Sequence, residues 1–258
     1  MNVPLVCCVG TTEPWNVAGL GLDIQALTAC GARAVSVVAG VSAQDGRGLF
    51  AASAIAPELI AAQFAALERA PIAAIRIGAL LDQASVAGVA AALRARRARS
   101  DVPIVYDPVL AASAGGTFAS DATVAVIVRE LIPLAALVTP NLAEAQRLLG
   151  LGSVAASPDG MARWAGALVT AGARSALVTG GHLLADPVDV LVDADGEARY
   201  TAPRLAGELR GSGCLLACAL AAGLARGETL RTAVVAARLF VRARFSSARD
   251  VGGMRAAY

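Results

Sequence analysis

The 258-residue chain has no lysine and a single histidine, His182. Without lysine there is no amine for a Schiff base, and a phosphate loop of the G-x-x-x-x-G-K-[ST] type is excluded. His182 sits in a Gly-Gly-His turn with no nucleophile near it in sequence, which argues against a Ser-His-Asp or Cys-His hydrolase. The five cysteines form no C-x-x-C pair, so the spacing of a zinc site or a thioredoxin-type motif is missing. Cys7, Cys8, Cys30 and Cys218 read as small apolar residues of strands and helices. Charged residues make up only 16% of the chain and the net charge is +2. The one basic cluster, ALRARRARS at 92–100, reads as the solvated end of a helix, so no nucleic-acid partner is expected. The longest uncharged apolar run, between Arg210 and Arg226, falls short of the about 20 residues a membrane span needs. MNVPLVCCVG lacks the basic start and cleavage signature of a secretory signal. The expectation is a soluble, cytoplasmic protein with no membrane partner.

What is present is apolar: 57% of residues, enough for a large core. Short apolar runs at 4–10, 33–40, 73–78, 102–107, 135–140 and 175–180 read as strands. Helical spacing lies between them, near 17–30, 57–69, 84–97, 119–130 and 158–171. Alternation of this kind predicts a single α/β domain over residues 1–258, with a mostly parallel sheet covered by helices on both faces. VDVLVDADGEARYTAP at 188–203 alternates around Asp-Gly and predicts a hairpin at the sheet edge. Two Ala-rich helices, about 212–225 and 228–246, complete the pattern.

In such sheets ligands bind beyond the carboxyl ends of the strands. Asp107-Pro108, Thr139-Pro140-Asn141 and Thr179-Gly180-Gly181-His182 all close strands. Gly211-Ser212-Gly213 opens an apolar helix, offering backbone N–H groups and the positive end of a helix dipole to an anion. Cys214 follows it, and a helix start is expected to lower a thiol's pKa. The same four residues also fit a plain turn before a buried cysteine. Asn141 and Glu144 stand three apart at the start of a helix after Pro140. They fit a water-mediated Mg²⁺ site or an ordinary N-cap with a first-turn Glu. Asp107 alone fits a simple turn.

Taken in order, these segments resemble the ribokinase-like superfamily, and within it the hydroxymethylpyrimidine/phosphomethylpyrimidine kinases of thiamine biosynthesis. TTEPWNVAGLGLD is similar to that family's GSDPSGGAGIQAD, SVVAGVSAQDGRG to VITALTAQNT, and RIGAL to KIGML. YDPVLAASAG resembles LDPVMVAKSG, LVTPNLAEAQRLLG resembles LITPNLPEAELL, LVTGGHLL resembles LVKGGHL, and GSGC resembles GTGC. The resemblance implies a three-layer ribokinase-like fold and ATP-dependent phosphorylation of a heterocyclic alcohol or its phosphate. The first acceptor implied is 4-amino-5-hydroxymethyl-2-methylpyrimidine. A pyridoxal/pyridoxine-type kinase, or a degenerate ligand-binding relative, is the alternative.

By position, the resemblance makes Gly211, Ser212, Gly213 and Cys214 the catalytic turn, with Cys214 as base. Asp107, Asn141, Thr179, Gly180 and Gly181 would bind the nucleotide, and Glu144 with Asp107 would hold Mg²⁺. Glu13, Gly19, Gly21, Gln44 and Ala79 would border the acceptor. A cytoplasmic homodimer follows by analogy. The family's lysines are replaced by Arg76, Ser113 and Thr179, its SGG by Trp15-Asn16-Val17, its ring-contacting Gln by Gly21 and its Met by Ala79. The expectation from these changes is a roomier, less polar acceptor pocket in which Gly21→Gln improves the pyrimidine reaction.

Overall fold

The computed structural model describes residues 3–112, 115–152, 156–184 and 186–257. The strands are β1 Leu5–Thr12, β2 Arg33–Asp45, β3 Gly48–Ala54, β4 Ile72–Ile77, β5 Ile104–Tyr106, β6 Leu137–Val138, β7 Ala176–Val178, β8 Val188–Asp193, β9 Gly196–Thr201, β10 Arg249–Val251 and β11 Met254–Ala256. The helices are α1 Gly19–Ala29, α2 Pro57–Ala66, α3 Gln83–Arg97, α4 Asp121–Glu130, α5 Leu142–Leu148, α6 Pro158–Thr170, α7 Ser212–Ala225 and α8 Leu230–Ser247.

Nine strands form one sheet in the order β3-β2-β1-β4-β5-β6-β7-β8-β9. The run from β2 to β7 is parallel, with antiparallel strands at both edges. Successive residues from Val6 to Val9 of β1 face opposite layers and all are apolar, as a strand buried on both sides requires. Cys7 and Val9 pack with Ile60, Val86, Ile127 and Trp164 under α2 to α6. Val6 and Cys8 pack with Leu22, Leu215 and Ala233 under α1, α7 and α8. The α7 helix is apolar around its whole circumference because it lies between sheet and α8, with Cys214 to Gly223 buried.

The three-layer architecture and the edge hairpin at β8–β9 agree with the sequence reading. The central strands β5, β6 and β7 are shorter than expected. Pro108 and Pro140 follow closely on β5 and β6, and proline has no N–H to extend a ladder. Two hairpins were missed. The β2–β3 pair turns at Asp45, whose Oδ1 accepts the Arg47 N–H at 2.6 Å. Asp45-Gly46 was a turn signal, but the exposed, unalternating β3 hid the strand. The β10–β11 pair turns at Gly252 and Gly253, with φ of 59° and 81° as a tight hairpin turn demands.

Candidate active site

Period-two alternation sets the centre of the site. Ala74 of β4 faces the α1/α7 layer, so Arg76 faces it too; Val105 of β5 faces it, so Asp107 does as well. There the buried Arg76 guanidinium meets two carboxylates, with Nη2 2.6 Å from Asp107 and Nη1 2.7 Å from Asp23 on α1. Gly78 makes this possible, because a Cβ there would lie 2.2 Å from Arg76 Nη1. The Cys218 thiol donates to Asp23 Oδ1 at 3.3 Å. Burial raises the Asp23 pKa to about 6 although Arg76 pulls it down. Burial alone would lower Arg76, but the carboxylates of Asp23 and Asp107 more than offset it and hold the guanidinium charged.

Cys214 stands over this network. Its thiol lies beside Asp107 and the Gly19 backbone, close enough for each to bear on its titration. The expected lowering of its pKa is not found. Burial pushes it up to about 12, with Asp107 and Asp23 adding to the rise against Arg76. The helix dipole contributes only about half a charge, and two carboxylates facing one guanidinium outweigh it. Cys214 is a neutral thiol at neutral pH. Cys30 is the more exposed thiol, so it rather than Cys214 is expected to be alkylated first.

The turn before Cys214 is fixed by what glycine alone permits. Gly211 has φ +75°, and a Cβ on it would lie 2.3 Å from Leu22 Cδ2 and 2.6 Å from the Val17 carbonyl oxygen. No side chain caps the first turn of α7. A Cβ on Gly213 would sit at an ordinary 3.7 Å from Asp107 Oδ1, so this turn runs beside that carboxylate.

Asn141 and Glu144 form a complete capping box: Asn141 Oδ1 accepts the Glu144 N–H at 3.0 Å and Glu144 Oε2 accepts the Asn141 N–H at 2.9 Å. The N-cap reading therefore holds. Burial, then the charge of Asp107, raises the Glu144 pKa to about 8. Two carboxylates that resist joint ionisation fit a divalent cation, whose charge would offset their repulsion. Among the described residues no three His, Cys, Asp or Glu side chains gather as a metal cage. Magnesium does not require one, since it keeps waters and is held by one or two carboxylates plus phosphates.

Thr179 lies beside Asn141, its N–H donating to the Pro140 carbonyl at 2.9 Å. The Gly180 N–H is committed to Asp189 Oδ1 at 2.9 Å, and a Cβ there would lie 2.1 Å from the Val188 oxygen; Gly181 is open. Arg204, not singled out from the sequence, donates to the Gly181 carbonyl at 2.9 Å.

Among the residues expected to border an acceptor, Glu13 spends its carboxylate on its own loop, accepting the N–H groups of Trp15, Val17 and Ala18 at 2.7, 2.7 and 3.0 Å. The Ala79 carbonyl accepts the Thr11 hydroxyl at 3.0 Å, and Gln44 Oε1 accepts from Arg210 Nη2 at 3.2 Å. Gly19, at φ +57°, comes so close to the Thr11 oxygen that a Cβ would lie 2.3 Å from it. The half-exposed Trp15 ring covers Gly252 of the β10–β11 hairpin. Ser113, where the family has lysine, lies outside the described residues. An open concavity of about 420 Å³ beside β3, lined by Leu49, Phe50, Leu81, Asp82, Thr117 and Phe118 among others, contains none of the candidate site residues.

The pattern that defines the phosphomethylpyrimidine kinase family matches residues 14–257. The chain belongs to the phosphomethylpyrimidine kinase family. It is 37% identical over 236 residues to a hydroxymethylpyrimidine/phosphomethylpyrimidine kinase of Rhizobium meliloti, covering 90% of this chain and 86% of that protein. It is 34% identical over 252 residues to the protein of the same name in Streptomyces coelicolor, covering 97% and 91%. Its fold matches a phosphomethylpyrimidine kinase of Clostridium difficile 630, with TM-score 0.81, 24% identity and coverage of 93% and 98%. It also matches the ADP complex of Bacillus subtilis pyridoxal kinase, with TM-score 0.89, 22% identity and coverage of 99% and 97%. The sequence resemblance thus named the right family and the right fold.

Proposed function

We propose that residues 1–258 act as one kinase domain that transfers the γ-phosphoryl group of ATP to the hydroxymethyl oxygen of 4-amino-5-hydroxymethyl-2-methylpyrimidine, to its monophosphate, or to both. The observation that carries this reading is the uncapped start of α7, with Gly213 and Cys214 against Asp107 at the carboxyl ends of the parallel strands. Phosphoryl transfer asks mainly for positioning and for fixed dipoles where charge develops, and backbone N–H groups at 211–214 supply them. Asp107 and Glu144 would hold Mg²⁺, which offsets phosphate charge when bound. Asn141, Thr179, Gly180 and Gly181 line the nucleotide; Glu13, Gly19, Gly21, Gln44 and Ala79 shape the acceptor side.

A thiol held near 12 does not act as a standing thiolate base. Cys214 instead stays protonated and positions the acceptor hydroxyl. The acceptor oxygen bonds to γ-phosphorus as the bond to the ADP oxygen breaks, and the hydroxyl proton passes to an oxygen of the transferring phosphoryl group. Asp107, ion-paired to Arg76, is kept for Mg²⁺.

ATP consumption against a panel of pyrimidine and pyridine alcohols, with the products identified by phosphorus NMR, tests the reading. A pyridine alcohol as the preferred acceptor is the second reading, favoured by the small residues Gly21 and Ala79. No ATP consumption with any alcohol would leave a ligand-binding relative. The protein is taken as a cytoplasmic homodimer. The exposed Val41 and Phe50 on the β2–β3 edge support an apolar contact between copies. No helix among the described residues is long and apolar enough to cross a membrane.

A further inference from the structure

Asn16 is the one non-glycine residue with positive φ, 54°, among the described residues. The left-handed region is costly for most side chains and tolerated best by asparagine. The loop holds it there: Glu13 ties down the N–H groups of Trp15, Val17 and Ala18 on either side of it. The result is that the Asn16 carboxamide lies across Gly21. A Cβ on Gly21 would be 1.8 Å from Asn16 Oδ1 and 2.5 Å from its Cγ.

The space left by a side chain at position 21 is therefore not empty. The family segment quoted above has glycine at position 16 and an amide at position 21; this chain has the amide at 16 and glycine at 21. The two changes are one exchange, since either side chain excludes the other. The loop that carries Asn16 passes the glycine turn before Cys214, because the Val17 carbonyl, next in the chain, abuts Gly211. Asn16 is exposed, and its carboxamide has no hydrogen-bond partner among the described residues.

We propose that Asn16 is a specificity-determining residue whose carboxamide reads the polar edge of the acceptor ring, in place of the amide lost at Gly21. A carboxamide offers one carbonyl acceptor beside an N–H donor. That pair matches a ring nitrogen adjacent to an exocyclic amino group, as in an aminopyrimidine, and not an alkyl edge. The inference rests on the kinase reading above. It replaces the expectation of a roomier, less polar pocket, and it reverses the expected effect of Gly21→Gln.

Four proteins test it: wild type, Asn16→Gly, Gly21→Gln and the double variant. Each is assayed by steady-state kinetics with the aminopyrimidine alcohol and by calorimetric binding of that alcohol and of ADP. Asn16→Gly should raise the acceptor KM and Kd about 10- to 100-fold, the loss of two neutral hydrogen bonds, with ADP affinity unchanged. Glycine suits a positive φ, so the fold should survive. Gly21→Gln alone should also weaken the acceptor, because it displaces Asn16. The double variant should recover toward wild type, a non-additivity expected of residues sharing one space. Wild-type acceptor affinity in Asn16→Gly, or a gain in Gly21→Gln alone, overturns the inference while leaving the kinase reading intact. Binding without turnover that follows the predicted pattern overturns only the kinase reading. A wild type that neither binds nor phosphorylates the alcohol overturns both.

Discussion

Arg76 Nη2 lies 2.6 Å from Asp107, and the pair is sealed from water directly behind Cys214. The same guanidinium holds Asp23, so removing it strands two buried carboxylates. Arg76→Met should cost about 3–5 kcal/mol of stability, the range for breaking a buried pair by deleting one partner. Arg76→Lys should cost less, since it keeps the charge but loses the planar fork that serves two partners. Denaturant titration of the three proteins measures this, and an unchanged midpoint in Arg76→Met would remove the network from the stabilising core.

Cys214→Ala should lower kcat by about 10²-fold or more with nucleotide affinity nearly unchanged. Because burial holds the thiol near 12, it stays protonated through neutral pH. Alkylation near pH 7 should then label Cys30 before Cys214. Rapid, selective labelling of Cys214 would restore the activated-thiolate reading.

Glu144 supplies a pH signature. Folding raises its pKa from the ordinary 4.5 to about 8. The folded state thus binds the proton more tightly, and stability from this group is fullest below about pH 4.5 and falls as pH rises toward 8. Asp23, raised to about 6, adds a decline at lower pH. Glu144→Gln should flatten the upper part of the fall, because glutamine still completes a capping box. Thermal melts at pH 5 and pH 8 compare the two proteins, and parallel curves would contradict the assignment. The same variant should need more Mg²⁺ for half-maximal rate.

Two glycines of one turn should behave differently. Gly211→Ala meets Leu22 Cδ2 and the Val17 oxygen and is strained at φ +75°; it should lower Tm and abolish most activity. Gly213→Ala meets Asp107 only at ordinary contact distance, so it should keep its Tm while the crowded anion turn weakens ATP binding. Equal Tm losses in both would mean that the turn is merely structural.

Much was legible without coordinates because it depends on local pattern. Buried parallel strands read as apolar runs, and glycine before an apolar run marks the start of α7. Asn141 with Glu144 fitted a cap or a magnesium site from the sequence, and the fold shows the cap. The ordered motifs carried the family. The β8–β9 hairpin announced itself by alternation around Asp-Gly, while β3, exposed and without alternation, did not.

Tertiary structure decided the electrostatics around Cys214 and what occupies the space beside Gly21, because both depend on how the backbone brings side chains together. A helix start predicts an acidic thiol. Asp23 and Asp107, from α1 and the end of β5, converge with Arg76 under Cys214 and reverse the sign, since burial and two nearby carboxylates outweigh a half-charge dipole. Gly21 alone reads as a lost amide. Only the folded loop, wound around Glu13, lays Asn16 across it, because the space at one position belongs to whichever side chain the backbone directs there.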